Sequence, residues 1–127
     1  MDNDTQRNNT FIEKLITLSK TPEYLEWEYL DQDDILNDKI HTLLIRSSEV
    51  LNDLSFFFRK DNSFVVLLTF CDTAKKLTNM IIIIPDTFRN PKALSGNEYQ
   101  ENITRLVNVV KRNFPDPDDF IDSILDI

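Results

Sequence analysis

The sequence predicts a single α+β domain in which helices flank a three-stranded antiparallel meander. Apolar residues recur at helical spacing near both ends of the chain, and three short, continuous apolar runs lie in its middle. The chain has 127 residues, of which 41% are hydrophobic, enough for one domain with its own core. Because the start of the chain is polar and aperiodic, we expect residues 1–9 to be a disordered tail and residues 10–127 to be the domain.

The first helix is expected from Phe11 to Lys20. Thr10 and Glu13 have the spacing of a capping box, and an apolar stripe follows them.

Residues 22–30 fit two structures. Leu25, Trp27 and Tyr29 alternate with glutamates, as in a half-buried strand. Pro22 instead favours a helix start, and Tyr24 and Trp27 also fit one helix face. We expect the short helix.

A further helix is expected after Asp33 or Asp34, either of which can cap it. Its apolar residues begin at Ile35 and continue unevenly as far as Leu54.

The middle of the chain predicts three strands. Residues 55–59 and 64–71 flank a polar turn and have the pattern of a hairpin, and Met80–Ile84 is the third strand. Residues 86–96 are expected to form one long loop. Because the strands are apolar on both faces, both faces must be covered, either by the chain's own helices or by a partner.

Two helices are expected after the sheet. Asn97 can cap one that extends to about Phe114, and Asp118–Asp126 can form a short last helix beyond two prolines.

Composition excludes several kinds of site. The single glycine, Gly96, excludes a phosphate-binding loop or a dinucleotide fingerprint, both of which need several glycines. One cysteine and one histidine exclude an internal disulfide and a Cys/His zinc site. We interpret Cys71 as a buried thiol and His41 as a surface imidazole, not as a catalytic pair. We therefore expect no catalytic residue, no cofactor and no metal.

The net charge of −8 is distributed unevenly. Residues 1–53 contain 12 acids and 5 bases, residues 54–114 contain 5 acids and 9 bases, and residues 115–127 contain 5 acids and no base. An acidic surface disfavours direct contact with nucleic acid or with an anionic membrane. The polar start of the chain lacks the pattern of a signal peptide, and no apolar run approaches the roughly 20 residues of a membrane helix, which predicts a cytoplasmic protein.

Two acidic segments are candidate partner-binding surfaces. The first interleaves aromatic residues with seven acids and no base, although its aromatics can equally be core. Its residues are Glu23, Tyr24, Glu26, Trp27, Glu28, Tyr29, Asp31, Asp33, Asp34 and Asp38. The second is the last helix, with Asp118, Asp119, Phe120, Ile124 and Ile127. We expect this helix to dock on its own domain, and the alternative is a detachable motif that enters a partner's groove.

These features predict a non-catalytic acidic protein that binds a basic protein, either as a monomer or as a homodimer. An inhibitor fits, such as an immunity protein for a toxin nuclease or an anti-defence protein that mimics nucleic acid. One alternative is a small subunit or assembly factor of a larger complex, which would use an apolar sheet face. A small-molecule sensor is a third hypothesis.

Overall fold

The computed structural model describes residues 3–21, 23–43, 49–72, 74–85, 89–115 and 117–127. This part of the chain contains four helices and one antiparallel sheet of six strands, which confirms the α+β class. The elements in chain order are α1 Asn3–Ser19, β1 Glu28–Tyr29, α2 Asp34–Leu43, β2 Glu49–Val50, β3 Phe56–Lys60, β4 Ser63–Cys71, β5 Leu77–Ile84, β6 Lys92–Leu94, α3 Asn97–Lys111 and α4 Pro117–Leu125. Single 3₁₀ turns occupy Leu30–Gln32 and Asn52–Leu54.

The predicted meander is the centre of the sheet, which has the order β1-β3-β4-β5-β6, with β2 paired to the far end of β4. The hairpin between β3 and β4 turns at Asp61 and Asn62, whose φ angles are 52° and 67°. Two positive φ angles in succession suit a two-residue turn that matches the twist of the strands, and Asp and Asn tolerate this conformation well.

Helices cover both faces of the central strands, which explains why these strands are apolar without alternation. One face packs against α1 and α3 through Phe56, Phe58, Val65, Leu67 and Ile81. The other face packs against α2 through Phe57, Val66, Leu68, Ile82 and Ile84.

The first helix begins earlier than predicted. Residues 3–9, which were expected to be a disordered tail, form the first turns of α1. Thr10 therefore lies inside the helix, where its hydroxyl donates to the Gln6 carbonyl at 3.0 Å. The amide of buried Asn8 donates to the Tyr99 hydroxyl at 3.1 Å and accepts from Lys92 Nζ at 3.0 Å. These partners are far away in the sequence, so the polar start gave no sign of them.

The helix expected over residues 22–30 is wrong. Leu25 and Trp27 are buried and Glu26 and Glu28 are exposed, so the alternation belongs to an extended segment that leads into β1. The proposed helix start at Pro22 lies outside the described residues.

The expected extension of the next helix to Leu54 is also wrong. α2 ends at Leu43, and after residues 44–48, which lie outside the described part, the chain forms β2 and a 3₁₀ turn.

Three boundaries differ later in the chain. β5 begins at Leu77 instead of Met80, and residues 92–94 of the expected loop form β6. α3 begins at Asn97, one residue after its cap at Gly96, and ends at Lys111 instead of Phe114.

A buried hydroxyl joins the strands where β3 begins. Ser55 is fully buried, and its Oγ accepts from the Thr69 amide at 3.1 Å and donates to the Leu51 carbonyl at 2.8 Å. The side chain thereby satisfies the Thr69 amide of β4 and the Leu51 carbonyl, which lies between β2 and β3, two strands that both pair with β4.

Candidate interaction surfaces

The segment of residues 23–38 wraps around one edge of the sheet. In the described sheet β1 is an edge strand, paired with β3. Before β1, Leu25 and Trp27 pack on the face that α1 and α3 cover, and after it Leu30 packs on the face that α2 covers. The polar side chains between these anchors are therefore displayed along the edge of the sheet.

Trp27 anchors this segment. The side chain is only 6% exposed, and its Nε1 donates to the hydroxyl of Ser19 at 2.9 Å. Its ring meets Phe58 edge-on, with the ring centroids 4.7 Å apart. The prediction that Trp27 contacts a partner is therefore corrected, because its ring is part of the core.

Tyr29 is half-buried and belongs to a cluster of three rings. Its ring stacks on Phe56 with centroids 5.2 Å apart and meets Phe114 at 4.8 Å. These contacts give Tyr29 a structural role in the core.

Asp33 differs from the other acids of the segment. Its Oδ1 accepts a hydrogen bond from the Leu36 amide at 2.9 Å, and its carbonyl accepts from the Asn37 amide at 2.9 Å. This is the geometry of a helix N-cap, which confirms that an aspartate at this point caps α2. Asp33 is half-buried, and its carboxylate is engaged within the chain.

The remaining six carboxylates of the segment are exposed, and we call them the acidic edge. They are Glu23, Glu26, Glu28, Asp31, Asp34 and Asp38. Two large side chains of this segment are exposed among them, Tyr24 and Ile35, at 68% each. Ile35 was expected only as the first apolar residue of the next helix and was not counted among the partner-binding residues. Ile35 is the second residue of α2, and its neighbour Leu36 is one of the residues by which the helix packs on the core, so the two side chains point in different directions.

The second candidate surface is α4. All of the described residues from 117 to 127 are exposed, including Phe120, Ile121, Ile124, Leu125 and Ile127. The expectation that this helix docks on its own domain is therefore wrong for this structure. Asp118 and Asp119 lie in the first turn, where the helix dipole favours negative charge.

A third surface, which the sequence did not predict, is a cleft of about 390 Å³ between α1 and the β3–β4 hairpin. Three groups at its mouth are charged: Lys14, Lys60 and Asp61. Its apolar lining consists of Phe11, Leu15, Leu18, Leu25, Phe58 and Val65. We call it the lysine-rimmed cleft. It brings together elements that are distant in the sequence, which is why no local pattern indicated it.

The sheet offers little apolar surface to a partner. Val66, Leu68 and Ile82 lie on the face covered by α2 and are buried. Leu77, at the start of β5, is 60% exposed. A subunit that docks through an open sheet face would need this surface uncovered.

The exposure of the single cysteine and the single histidine, and the grouping of possible metal ligands, can be read from the structure. Cys71, which was expected to be buried, is a half-buried free thiol at the end of β4, opposite Glu49 and Leu77, and His41 is exposed near the end of α2, as expected. Among the described residues, no group of three or more His, Cys, Asp or Glu side chains is arranged to hold a metal ion. None of the described helices is both long and apolar enough to cross a membrane.

Comparisons of the chain with protein-family models, with curated proteins and with solved structures find no match. Its function is therefore inferred from the chemistry of these surfaces.

Proposed function

We propose that this protein acts by binding a basic protein through the acidic edge, without catalysis. The observation that carries the proposal is the set of six exposed carboxylates, interspersed with exposed Tyr24 and Ile35. Carboxylates of one sign steer an oppositely charged partner and exclude others, while exposed rings and aliphatic side chains supply contact area.

The backbone beneath the acidic edge supports this function. Leu25, Trp27 and Leu30 are buried, and Asp33 fixes the start of α2. A surface held in one conformation before binding loses less conformational entropy when the partner arrives, which favours affinity. These buried side chains thus contribute to binding by positioning the acids.

The kind of partner follows from the charge. A protein that handles nucleic acid presents lysine and arginine side chains to phosphates, and a row of fixed carboxylates can occupy the same positions. The proposal therefore includes an inhibitor of such a protein, of the immunity or anti-defence type. It places this inhibitor in the cytoplasm, where a lone thiol such as Cys71 remains reduced.

Capture from native lysate with two matched variants tests the proposal. The Glu26→Lys/Glu28→Lys variant changes the acidic edge, and the Glu13→Lys/Glu101→Lys variant makes the same change in charge at exposed positions on α1 and α3. The wild-type protein and the control variant are expected to retain the same basic protein in stoichiometric amount. The acidic-edge variant is expected to lose it.

Two outcomes contradict the proposal. If both variants lose the partner equally, net charge alone explains binding. If neither variant loses it, binding uses another surface. Circular dichroism of both variants shows whether the fold is intact.

A further inference from the structure

The outer side of β1 presents backbone groups that no strand of the described sheet pairs. β1 is an edge strand, and its Glu28 lies directly opposite Phe57 of β3. Leu30, two residues further on, donates its amide to the Ser55 carbonyl at 2.9 Å. In an antiparallel pair, residues that exchange backbone hydrogen bonds alternate with residues that do not. Glu28, like Leu30, therefore directs its amide and its carbonyl towards β3.

The two peptide groups that flank Glu28 have their other halves on the open side. The amide and the carbonyl of a trans peptide point in opposite directions. Because the Glu28 amide points to β3, the Trp27 carbonyl points away from it, and because the Glu28 carbonyl points to β3, the Tyr29 amide points away as well. Neither group has a hydrogen-bond partner in the described part of the chain. An edge with unpaired groups of this kind can accept a further strand.

The side chains along this edge differ between its two faces. Leu25 and Trp27 are buried on the face that α1 and α3 cover, whereas Glu26 and Glu28 are exposed. Glu28 lies opposite Phe57, which belongs to the face that α2 covers, so the two glutamates project from that face. A strand added beside β1 would therefore meet two carboxylates on one of its faces.

These carboxylates select the occupant of the edge. The residue of an added strand opposite Glu28 would form a pair without backbone hydrogen bonds, the arrangement in which facing side chains are closest. Opposite charges stabilise such a cross-strand pair, and like charges destabilise it. By the same backbone pattern, a second copy of this chain would place a glutamate against Glu28. A segment with lysine or arginine at every second position would instead place cations against both Glu26 and Glu28.

We propose that the partner contributes an extended basic segment, with lysine or arginine at alternate positions, that adds to β1 as a further antiparallel strand. This inference rests on the proposed function and specifies how the acidic edge recognises its partner. Hydrogen bonds to the Trp27 carbonyl and from the Tyr29 amide hold the segment, and the pairs with Glu26 and Glu28 determine which segment binds. The described strand pairs of the sheet are all antiparallel, so the added strand continues the same pattern.

Two blocked synthetic peptides of equal composition test this recognition with the full chain. In the first, lysine and valine alternate over about nine residues, and in the second the lysines form one block. Fluorescence anisotropy is expected to show about tenfold tighter binding of the alternating peptide, because only this order places a cation opposite each glutamate. Glu26→Lys/Glu28→Lys is expected to remove the preference, and the control Glu13→Lys/Glu101→Lys is expected to keep it.

Methylation of the peptide backbone tests the strand pairing separately from charge. When the lysines lie opposite the glutamates, the valine amides face β1 and the lysine amides face solvent. N-methylation of the valines is expected to lower affinity at least about tenfold, because it removes the donor to the Trp27 carbonyl. N-methylation of the lysines is the matched control and is expected to change affinity by no more than about twofold.

Amide hydrogen exchange, measured by NMR, reports on β1 itself. The Tyr29 amide is expected to exchange rapidly in the free chain and at least about tenfold more slowly with the alternating peptide bound. The Glu28 amide, which is bonded to Phe57, is expected to be protected in both states.

Several results would overturn strand addition. These are equal affinity of the two peptides, no binding of the alternating peptide, a Tyr29 amide that stays unprotected in the complex, and equal losses from N-methylation of lysines and of valines. The proposed function stands through each of them as long as capture of the native partner still depends on Glu26 and Glu28. Loss of that dependence is the separate failure of the proposed function.

Discussion

Trp27 shows how one residue can carry two opposite interpretations. A tryptophan between two glutamates has the composition of a binding hot spot, yet the same spacing is also that of a buried position on an extended segment. The structure shows that Trp27 is a buried position, because Phe58 contacts its ring and Ser19 accepts a hydrogen bond from its Nε1. Neither contact has a local signal, because Phe58 belongs to another element and Ser19 only becomes a partner when the chain folds back after α1.

Replacing Trp27 by alanine is expected to lower the free energy of unfolding by about 3–5 kcal/mol, because the ring and its hydrogen bond are both lost from the core. Urea denaturation measures the change. Tyr24→Ala is the matched control, since the Tyr24 ring is largely exposed, and it is expected to stay within about 0.5 kcal/mol of wild type. Equal effects of the two substitutions would contradict the assignment of Trp27 to the core.

Ser55 is a buried polar residue, whereas Trp27 is a buried aromatic one. Replacing it by alanine is expected to cost about 1–3 kcal/mol, because the Thr69 amide would remain buried without its present acceptor. Ser95→Ala removes a hydroxyl at an exposed position and is expected to have little effect. A stability of Ser55→Ala equal to wild type, in urea or on heating, would show that the hydroxyl is not needed at this junction.

At the scale of elements, long periodic segments could be predicted and short ones could not. The apolar runs of β3, β4 and β5 and the helical stripes of α1 and α3 were found, because each repeats its pattern over several residues. β1, β2 and β6 have two or three residues each, too few to show a period. Their existence depends on pairing with strands elsewhere in the chain.

The candidate site could be predicted only in part, because some of its residues are neighbours in the sequence and others meet only in the fold. The acids of residues 23–38 could be read directly from composition, and most of them are exposed. Asp33 could be recognised as a cap but was also counted among the binding residues. The lysine-rimmed cleft could not be predicted, because it exists only where α1 meets the β3–β4 hairpin.

Truncation after Pro115 is expected to leave stability nearly unchanged. The described residues of α4 are all exposed, so their removal takes no packed side chain from the core. Thermal unfolding of the full and truncated chains measures this. A loss of several kcal/mol in the truncated chain would show that α4 docks on its own domain, since each apolar side chain that loses full burial costs about 1.5–3 kcal/mol.

At the scale of the whole molecule, opposite charges occupy different regions. The acidic edge follows β1 and α2, whereas Arg59, Lys60 and Lys92 lie at the same end of the sheet, where β3 ends and β6 begins. Because exposed charges are screened over about 8 Å at physiological ionic strength, each region presents its own sign to an approaching molecule despite the net charge of −8.

The association rate of the captured partner, measured against ionic strength, tests the acidic edge most directly. For the wild type and for Glu13→Lys/Glu101→Lys, we expect fast association at low salt that falls steeply as salt is added. For Glu26→Lys/Glu28→Lys, we expect slower association at low salt and a flatter dependence, because the steering charges are removed. The same rate and the same slope for all three proteins would contradict the claim that this edge guides binding.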